Sequence, residues 1–411
     1  DIESLIYTLL YLIKKKLPWS GLPGTDRAHR ANIRQKKLTM DIQDLTKEVP
    51  AFGTILRHAR NLAFPQAPDY RLIHSTLSEA WERMTKDTQP RLDWEPEEEG
   101  GPSPMDTISL ESVCDKDWLV GDRWQLEHVF IASGSHGAVC KAVDTKTHET
   151  VAVKFEDTTR SDKFPDEVKV MKNLQKISTI PSVMHSAEKL FGKFNVLVMP
   201  LLGTDMKRLK STHGKLSVPT VVYVAMQAFR TLEEIHETGW LHANIKPKNI
   251  MVGATKEERR KVYFIEFALS VRWRTADGQH VPESKLDGRG TPRYCSVNVL
   301  AGEHPSRRDD IESLIYTLLY LIKKKLPWQG LPGTGRTHRA NVRQKKLTTD
   351  ISDLTKEVPA FGTILSHARK LGFSHAPDYR LIHKVIADAW VGFTGTADET
   401  IPKLDWEESD L

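Results

Sequence analysis

Hydrophobic positions are densest between Leu314 and Ile322, where Thr317 alone interrupts an apolar run of nine residues. A helix that is apolar nearly all round is enclosed on every side, so Ile311 to Ile322 reads as a buried central helix. The run is well short of the ~20 residues that span a bilayer, and Lys323, Lys324 and Lys325 end it. No membrane span is expected. Apolar alternation on either side of Ile131–Val139, followed by Val151-Ala152-Val153-Lys154, predicts strands separated by a glycine turn, and Phe164 to Leu174 carries a helical period. Between Glu95 and Pro104 the pattern lapses into acid, proline and glycine with almost no apolar side chain. Such a stretch cannot bury enough surface to order itself, and residues 96–119 read as an acidic linker.

The apolar run recurs. Asp1 to Trp81 aligns without a gap on Asp310 to Trp390, with 65 of 81 positions identical. The unit is too long for a stacking repeat of 20 to 50 residues, so the linker is expected to join a partial copy, residues 1–95, to a complete domain, residues 120–408. Position 1 is Asp, inside the repeated pattern, and the expectation is that the beginning of the first copy is missing. On that view Leu5, Ile6, Leu9, Leu10, Leu12 and Ile13 would present an apolar face with nothing to cover it.

The 411 residues, 39% hydrophobic and 27% charged, exclude collagen-like and wholly disordered chains. Net charge is +5, but residues 87–117 alone hold −8, which leaves +13 for the rest. Arg336, Arg339, Arg343, Lys345 and Lys346 lack interleaved aromatics to stack bases, so a solvated basic surface is the simpler reading and no nucleic-acid partner is expected. The 3 cysteines, Cys114, Cys140 and Cys295, are widely spaced and form no C-x-x-C pair. Neither a disulfide framework nor a cysteine zinc site is expected, which points to an intracellular, cytoplasmic or nuclear setting.

The chemistry lies in four motifs in fixed order. Ala132-Ser133-Gly134-Ser135-His136-Gly137 is a glycine turn between strands, and Lys154 ends a V-A-V-K run. Glu167 sits in the helical segment that follows, placed to pair with Lys154. Leu241-His242-Ala243-Asn244-Ile245-Lys246-Pro247-Lys248-Asn249-Ile250 and Phe264-Ile265-Glu266-Phe267 then stand where a protein kinase has its catalytic loop and metal-binding D-F-G. Taken alone, the two glycines are an ordinary hairpin turn. Four motifs in order are not a coincidence.

At these residues the chain resembles the casein kinase 1 superfamily, and its tau-tubulin kinase branch in particular. Gly290-Thr291-Pro292-Arg293-Tyr294-Cys295-Ser296-Val297-Asn298, Ser306-Arg307-Arg308-Asp309-Asp310-Ile311-Glu312-Ser313-Leu314 and Leu326-Pro327-Trp328-Gln329-Gly330-Leu331 are similar to that family's G-T-x-R-Y-x-S-I-N, S-R-R-D-D-L-E-S-L and L-P-W-Q-G-L motifs. Pro377-Asp378-Tyr379 and Leu404-Asp405-Trp406-Glu407 resemble its closing motifs. The resemblance implies an α+β, two-lobed kinase fold: a small β-sheet lobe with one helix over about 120–202, and a mainly helical lobe over about 203–408. It implies ATP with Mg²⁺ or Mn²⁺ as cofactors. Gly134, Gly137, Lys154, Glu167, Met199 as gatekeeper and Leu202 at the hinge would hold nucleotide, Asn249 and Glu266 metal, and Lys246 the transferred phosphoryl group, while Asn244 stands at the catalytic position that meets the substrate hydroxyl. Asp310 would brace the catalytic loop. It implies, too, a protein partner, acidic or phosphorylated, near Arg293, Arg336 and Arg339.

The departures bear on function. Asn244 stands where the family has Asp, and a carboxamide can accept a hydrogen bond but is no general base, a role worth roughly 10²- to 10⁴-fold. Glu266 replaces the D-F-G Asp with a side chain one methylene longer, which suits poorly the near-octahedral oxygens that Mg²⁺ wants at about 2.0–2.1 Å. Ala132 replaces a loop glycine, Ala243 the catalytic-loop arginine, and His136 at the loop tip reads as a solvated turn residue. The expectation is an ATP-binding pseudokinase or scaffold; the alternative is a Ser/Thr kinase of low turnover.

Overall fold

Alternation in the strand-like runs is realised as a six-stranded antiparallel sheet in the order β1-β2-β3-β4-β6-β5, built from β1 (Leu119–Val120), β2 (Trp124–Ser133), β3 (Ala138–Asp144), β4 (Thr150–Asp157), β5 (His185–Leu190) and β6 (Phe194–Pro200). The computed structural model describes residues 2–20, 26–62, 66–84, 113–115, 117–133, 137–159, 162–190, 193–286, 290–399 and 403–407 of a chain that divides into two units, Asp1–Gly101 and Pro102–Leu411. Side chains alternate across a strand, and β4 uses both faces. Val151, Val153 and Phe155 join a core with Val113, Cys114, Cys140, Phe194, Val196 and Val198. Lys154 and Glu156 fall on the opposite face, toward the site. The helix α6 (Phe164–Asn173), with Pro165 in its first turn, carries Glu167 inward among Phe164, Val168 and Met171.

The helical lobe follows with β7 (Leu202–Asp205), α7 (Met206–His213), α8 (Val218–Glu237), β8 (Trp240–Leu241), β9 (Ile250–Gly253), β10 (Val262–Phe264), β11 (Val271–Arg272), α9 (Val297–Leu300), α10 (Arg307–Ile322), α11 (Gly335–Thr348), α12 (Ile351–Leu354), α13 (Pro359–Lys370) and α14 (Tyr379–Thr394). β10, β9 and β7 form a small sheet, and β11 pairs with β8. As its pattern predicts, α10 is the core helix: Ile311, Leu314, Ile315, Leu318, Leu319 and Leu321 are fully buried, and α8 and α13 pack against it. A capping box between Ser306 and Asp309 starts it, satisfying donors at the helix N-terminus that would otherwise be orphaned.

The first unit contains α1 (Ile2–Lys14), α2 (Asp26–Thr39), α3 (Ile42–Leu45), α4 (Pro50–Asn61) and α5 (Tyr70–Met84). Its internal contacts repeat those of the second. Arg60 pairs with Glu3 at 3.0 Å as Arg369 pairs with Glu312 at 3.5 Å, and the Lys37 ammonium lies 4.2 Å from the Tyr7 ring as that of Lys346 lies 4.3 Å from Tyr316. The expectation of an apolar face holds only in part. Ile6 and Leu10 are buried with Tyr7, Leu17, Trp19, Leu45, Ile55 and Leu56, whereas Leu5, Leu12 and Ile13 are exposed.

The cysteine reading is corrected outright. Cys114 and Cys140 are joined as a disulfide, with Cα atoms 5.5 Å apart, inside the sheet core. Their spacing of 26 residues carries no motif, and only the packing of the segment before β1 against β3 brings them together. Cys295 is buried and takes no part in the disulfide; its thiol donates to Thr291 O at 3.2 Å.

Candidate active site

Lys154 is the centre of the site. Its ammonium lies 2.7 Å from Glu167 Oε2, 2.7 Å from Glu156 Oε1 and 3.4 Å from Glu266 Oε2, and the side chains of Lys154, Glu156 and Glu167 are almost wholly out of water. The predicted Lys154–Glu167 pair is therefore formed. Glu156 was not foreseen, although period-two alternation puts residues 154 and 156 on one face of β4. Three carboxylates around one ammonium leave excess negative charge. Burial pushes the Glu167 carboxyl up, against the pull of Lys154, to about 7, and Glu266 and Glu156 push it the same way. Lys154 is disfavoured by burial but held protonated by the surrounding carboxylates. Glu167 Oε1 also accepts the Phe267 N–H at 3.1 Å, which ties α6 to the segment after Glu266.

The catalytic-loop segment is held from behind. The Asp310 carboxylate accepts the His242 and Ala243 N–H groups at 2.8 and 2.9 Å and lies 3.1 Å from His236 Nε2, whose Nδ1 meets the Tyr379 hydroxyl. His242 Nε2 donates to Ile265 O at 3.2 Å while its Nδ1 accepts the Asn244 N–H at 3.2 Å. Those two bonds select the neutral tautomer, and burial lowers the imidazole's proton affinity in the same sense. Asn249 donates through its amide to Asn244 O at 2.9 Å, which brings together two of the predicted residues. Ala243 and Glu266 adopt φ of +57° and +70°, a conformation costly for residues with a Cβ. The bonds to Asp310, Glu167 and Lys154 hold the loop there.

Elsewhere the predicted residues are placed as follows. Gly137 is buried where a Cβ would come within 2.0 Å of Phe155 O, so only glycine lets the turn lie on β4. Gly134 and His136 lie outside the described residues. Met199, on β6 opposite Ala152, and Leu202, opening β7, are half-buried. Lys246 is half-buried as well, and burial lowers its proton affinity.

The chain between Gly290 and Leu300 is fixed largely by α11. Lys346 donates to Pro292 O at 3.0 Å and Cys295 O at 2.6 Å, Arg339 to Gly290 O and Val299 O at 3.4 and 3.1 Å, and Arg343 to Val297 O at 3.0 Å. The reading of these three as a solvated basic surface is thus corrected: they are spent on backbone carbonyls. Arg293 lies over the rings of Tyr294 and Tyr320, and its carbonyl accepts the Trp328 indole N–H at 2.8 Å. Asp309 completes the bracing, accepting from Ser296 at 2.6 Å and Asn298 at 3.1 Å.

Two lobes meeting at a buried Lys–Glu pair and a braced catalytic loop are a kinase arrangement, and residues 127–376 match the family model described as the protein kinase domain. The chain belongs to the protein kinase family. In such a domain the nucleotide needs a fixed cation for its phosphates, which Lys154 can supply, and the metal needs oxygen donors beside them. Glu266 and Asn249 offer those, but Glu266 is drawn toward Lys154. Among the described residues no three His, Cys, Asp or Glu side chains cluster as a metal site. Mg²⁺ in kinases relies on one or two protein donors plus substrate phosphates, so the donor set fits a metal that arrives with the nucleotide. No helix among the described residues is long and apolar enough to cross a membrane.

Proposed function

We propose that residues 120–408 form a casein kinase 1-like domain, resembling tau-tubulin kinases in its motifs, that binds ATP with a weakened divalent metal and acts as a pseudokinase or scaffold. The observation that carries this reading is the state of the two reactive positions. Asn244 is buried and has no charge to draw a proton from a substrate hydroxyl, and the Glu266 carboxylate lies against Lys154. In the proposed complex Lys154 contacts the nucleotide phosphates and Glu167 positions it. Gly134 and Gly137 cover the phosphates, Met199 and Leu202 line the adenine side, and Asn249 and Glu266 hold the metal. Lys246 steadies the terminal phosphate. A partner bearing acidic or phosphorylated residues would approach near Arg293, Arg336 and Arg339.

One observation favours the second reading, a Ser/Thr kinase of low turnover that moves the ATP γ-phosphate to protein hydroxyls. The Lys154–Glu167 pair that active kinases require is formed, at 2.7 Å. Thermal-shift titration with ATP, alone and with Mg²⁺ or Mn²⁺, followed by phosphate incorporation into an acidic protein substrate, separates the two. A pseudokinase shifts with nucleotide and incorporates nothing. An unshifted melting curve at millimolar nucleotide would refute ATP binding.

A further inference from the structure

The lysines that follow α10 line a groove on the helical lobe of the second unit. A cavity of about 1080 Å³ is walled by Lys323, Lys324 and Lys325 together with Lys215, between α7 and α8, and Lys356, just after α12. A second cavity, of about 820 Å³ and lined from α12 and α13, shares Lys356 and adds Lys370. A third, of about 550 Å³, shares Lys215 and adds Lys403. The shared lysines make the three one continuous groove. Its lining is partly apolar, with Ile322, Pro327 and Leu354 in the largest cavity. None of Asn244, Lys246, Arg293, Arg336 and Arg339 lines it.

Much of this charge is unpaired. Lys323 pairs with Glu357 at 2.6 Å, but Lys215, Lys324, Lys325 and Lys356 are exposed and form no ion pair among the described residues. Asp353 and Asp405 are the other carboxylates on the groove, and Asp405 accepts the Ser217 N–H at 2.6 Å. Seven lysines therefore face three carboxylates. The lining also selects the kind of anion. No arginine lines any of the three cavities, so the planar fork that grips phosphate bidentately is missing. No Phe, Tyr or Trp is there to stack a base. Separate ammonium groups beside apolar side chains suit separate carboxylates that flank an apolar residue. We propose that this groove docks an extended acidic segment of a partner protein, rich in Glu or Asp with interspersed apolar residues.

The probe is a labelled peptide of repeated Glu-Glu-Leu, titrated into the 411-residue chain and followed by fluorescence anisotropy. Binding is expected, weaker as salt rises, and Lys324→Ser/Lys325→Ser should weaken it about tenfold. The repeat supplies the control. Lys15→Ser/Lys16→Ser makes the same change in net charge within the same local sequence, where the described residues of the first unit offer no counterpart of Lys215, and should leave the affinity unchanged. Asp353→Asn removes a carboxylate from the groove and should tighten binding about threefold, a gain that a misfolded chain cannot show. Equal losses from both lysine pairs would reduce the effect to overall charge and overturn the proposal. So would an absence of binding at millimolar peptide, or tighter binding of an oligonucleotide or of the peptide with phosphoserine in place of Glu. Loss of binding on Arg293→Ala would place the peptide at the proposed substrate site and overturn it as well.

Discussion

Replacing Lys154 by Met should destabilise the kinase unit far more than removing one of its carboxylate partners. Lys154 is the shared counter-charge of Glu156 and Glu167, at 2.7 Å each, and of Glu266 at 3.4 Å. Breaking a buried ion pair from one side costs about 3–5 kcal/mol, because the remaining charge stays buried and unpaired. At roughly 2–3 °C per kcal/mol for a domain of this size, the midpoint should fall by about 6–15 °C. Glu156→Gln removes one of three like charges instead, and leaves Lys154 with Glu167 and Glu266; a change within about 1 kcal/mol is expected. The cost of Lys154→Met should also depend on pH. The bare carboxylates escape repulsion by taking up protons, so the penalty should grow between pH 6 and 8 by up to about 1.4 kcal/mol per unit for each proton involved. Urea and thermal unfolding of both variants at the two pH values provide the assay. A Lys154→Met cost below about 1 kcal/mol, or one that is flat with pH, would refute the shared-counter-charge account. It follows that loss of function in a Lys154 variant reports on catalysis only after its folding has been checked.

The remaining expectations concern pH, the disulfide and the α11 lysine. Glu167, raised from 4.5 to about 7, and Asp309, raised from 3.8 to about 6, bind protons more tightly folded than unfolded, so their contribution is complete at low pH and fades as pH climbs through those values. Lys346 has the opposite sense: burial lowers it from 10.5 to about 7, so stability returns as pH rises from about 7 toward 10.5. Together these groups predict a shallow stability minimum near neutrality, read by melting scans from pH 4.5 to 10; Lys346→Met should abolish the upper rise. The same variant leaves the Pro292 and Cys295 carbonyls without a donor, at roughly 1–3 kcal/mol each, and should speed amide exchange across 291–296, whereas unchanged exchange would show that the lysine does not hold the segment. Reducing the Cys114–Cys140 bond, which closes a loop of 26 residues, should cost about 3.5 kcal/mol by the chain-entropy relation; a melting point indifferent to reductant would contradict it.

Much of this was legible in the residues. The position of α10 follows from an apolar run with no polar side, and the Lys154–Glu167 pair from the order of a strand and the helix after it. Glu156 was legible and overlooked, since it needs only the two-residue period of β4. What stayed hidden depends on contacts distant in sequence. Lys346 and Arg343 read as solvated because long cations are seldom buried, and nothing local reveals that carbonyls about 50 residues upstream will meet them. The His236–Asp310–Tyr379 network spans three elements, and Cys114 meets Cys140 only after the sheet has formed. The bare face of α1 is the reverse case: the repeat predicted it, but which leucines stay exposed depended on how α4 and its neighbours closed on Ile6 and Leu10.

The central claim, that this kinase domain is limited by the two replaced carboxylates, is tested most directly by radiolabelled phosphate incorporation with wild type and Asn244→Asp/Glu266→Asp. The account predicts no incorporation above background for the wild type, and a gain of at least the roughly 10²- to 10⁴-fold that a general base supplies in the double variant. Wild-type turnover in the usual kinase range of about 1–100 s⁻¹, unchanged by restoring both aspartates, would contradict it.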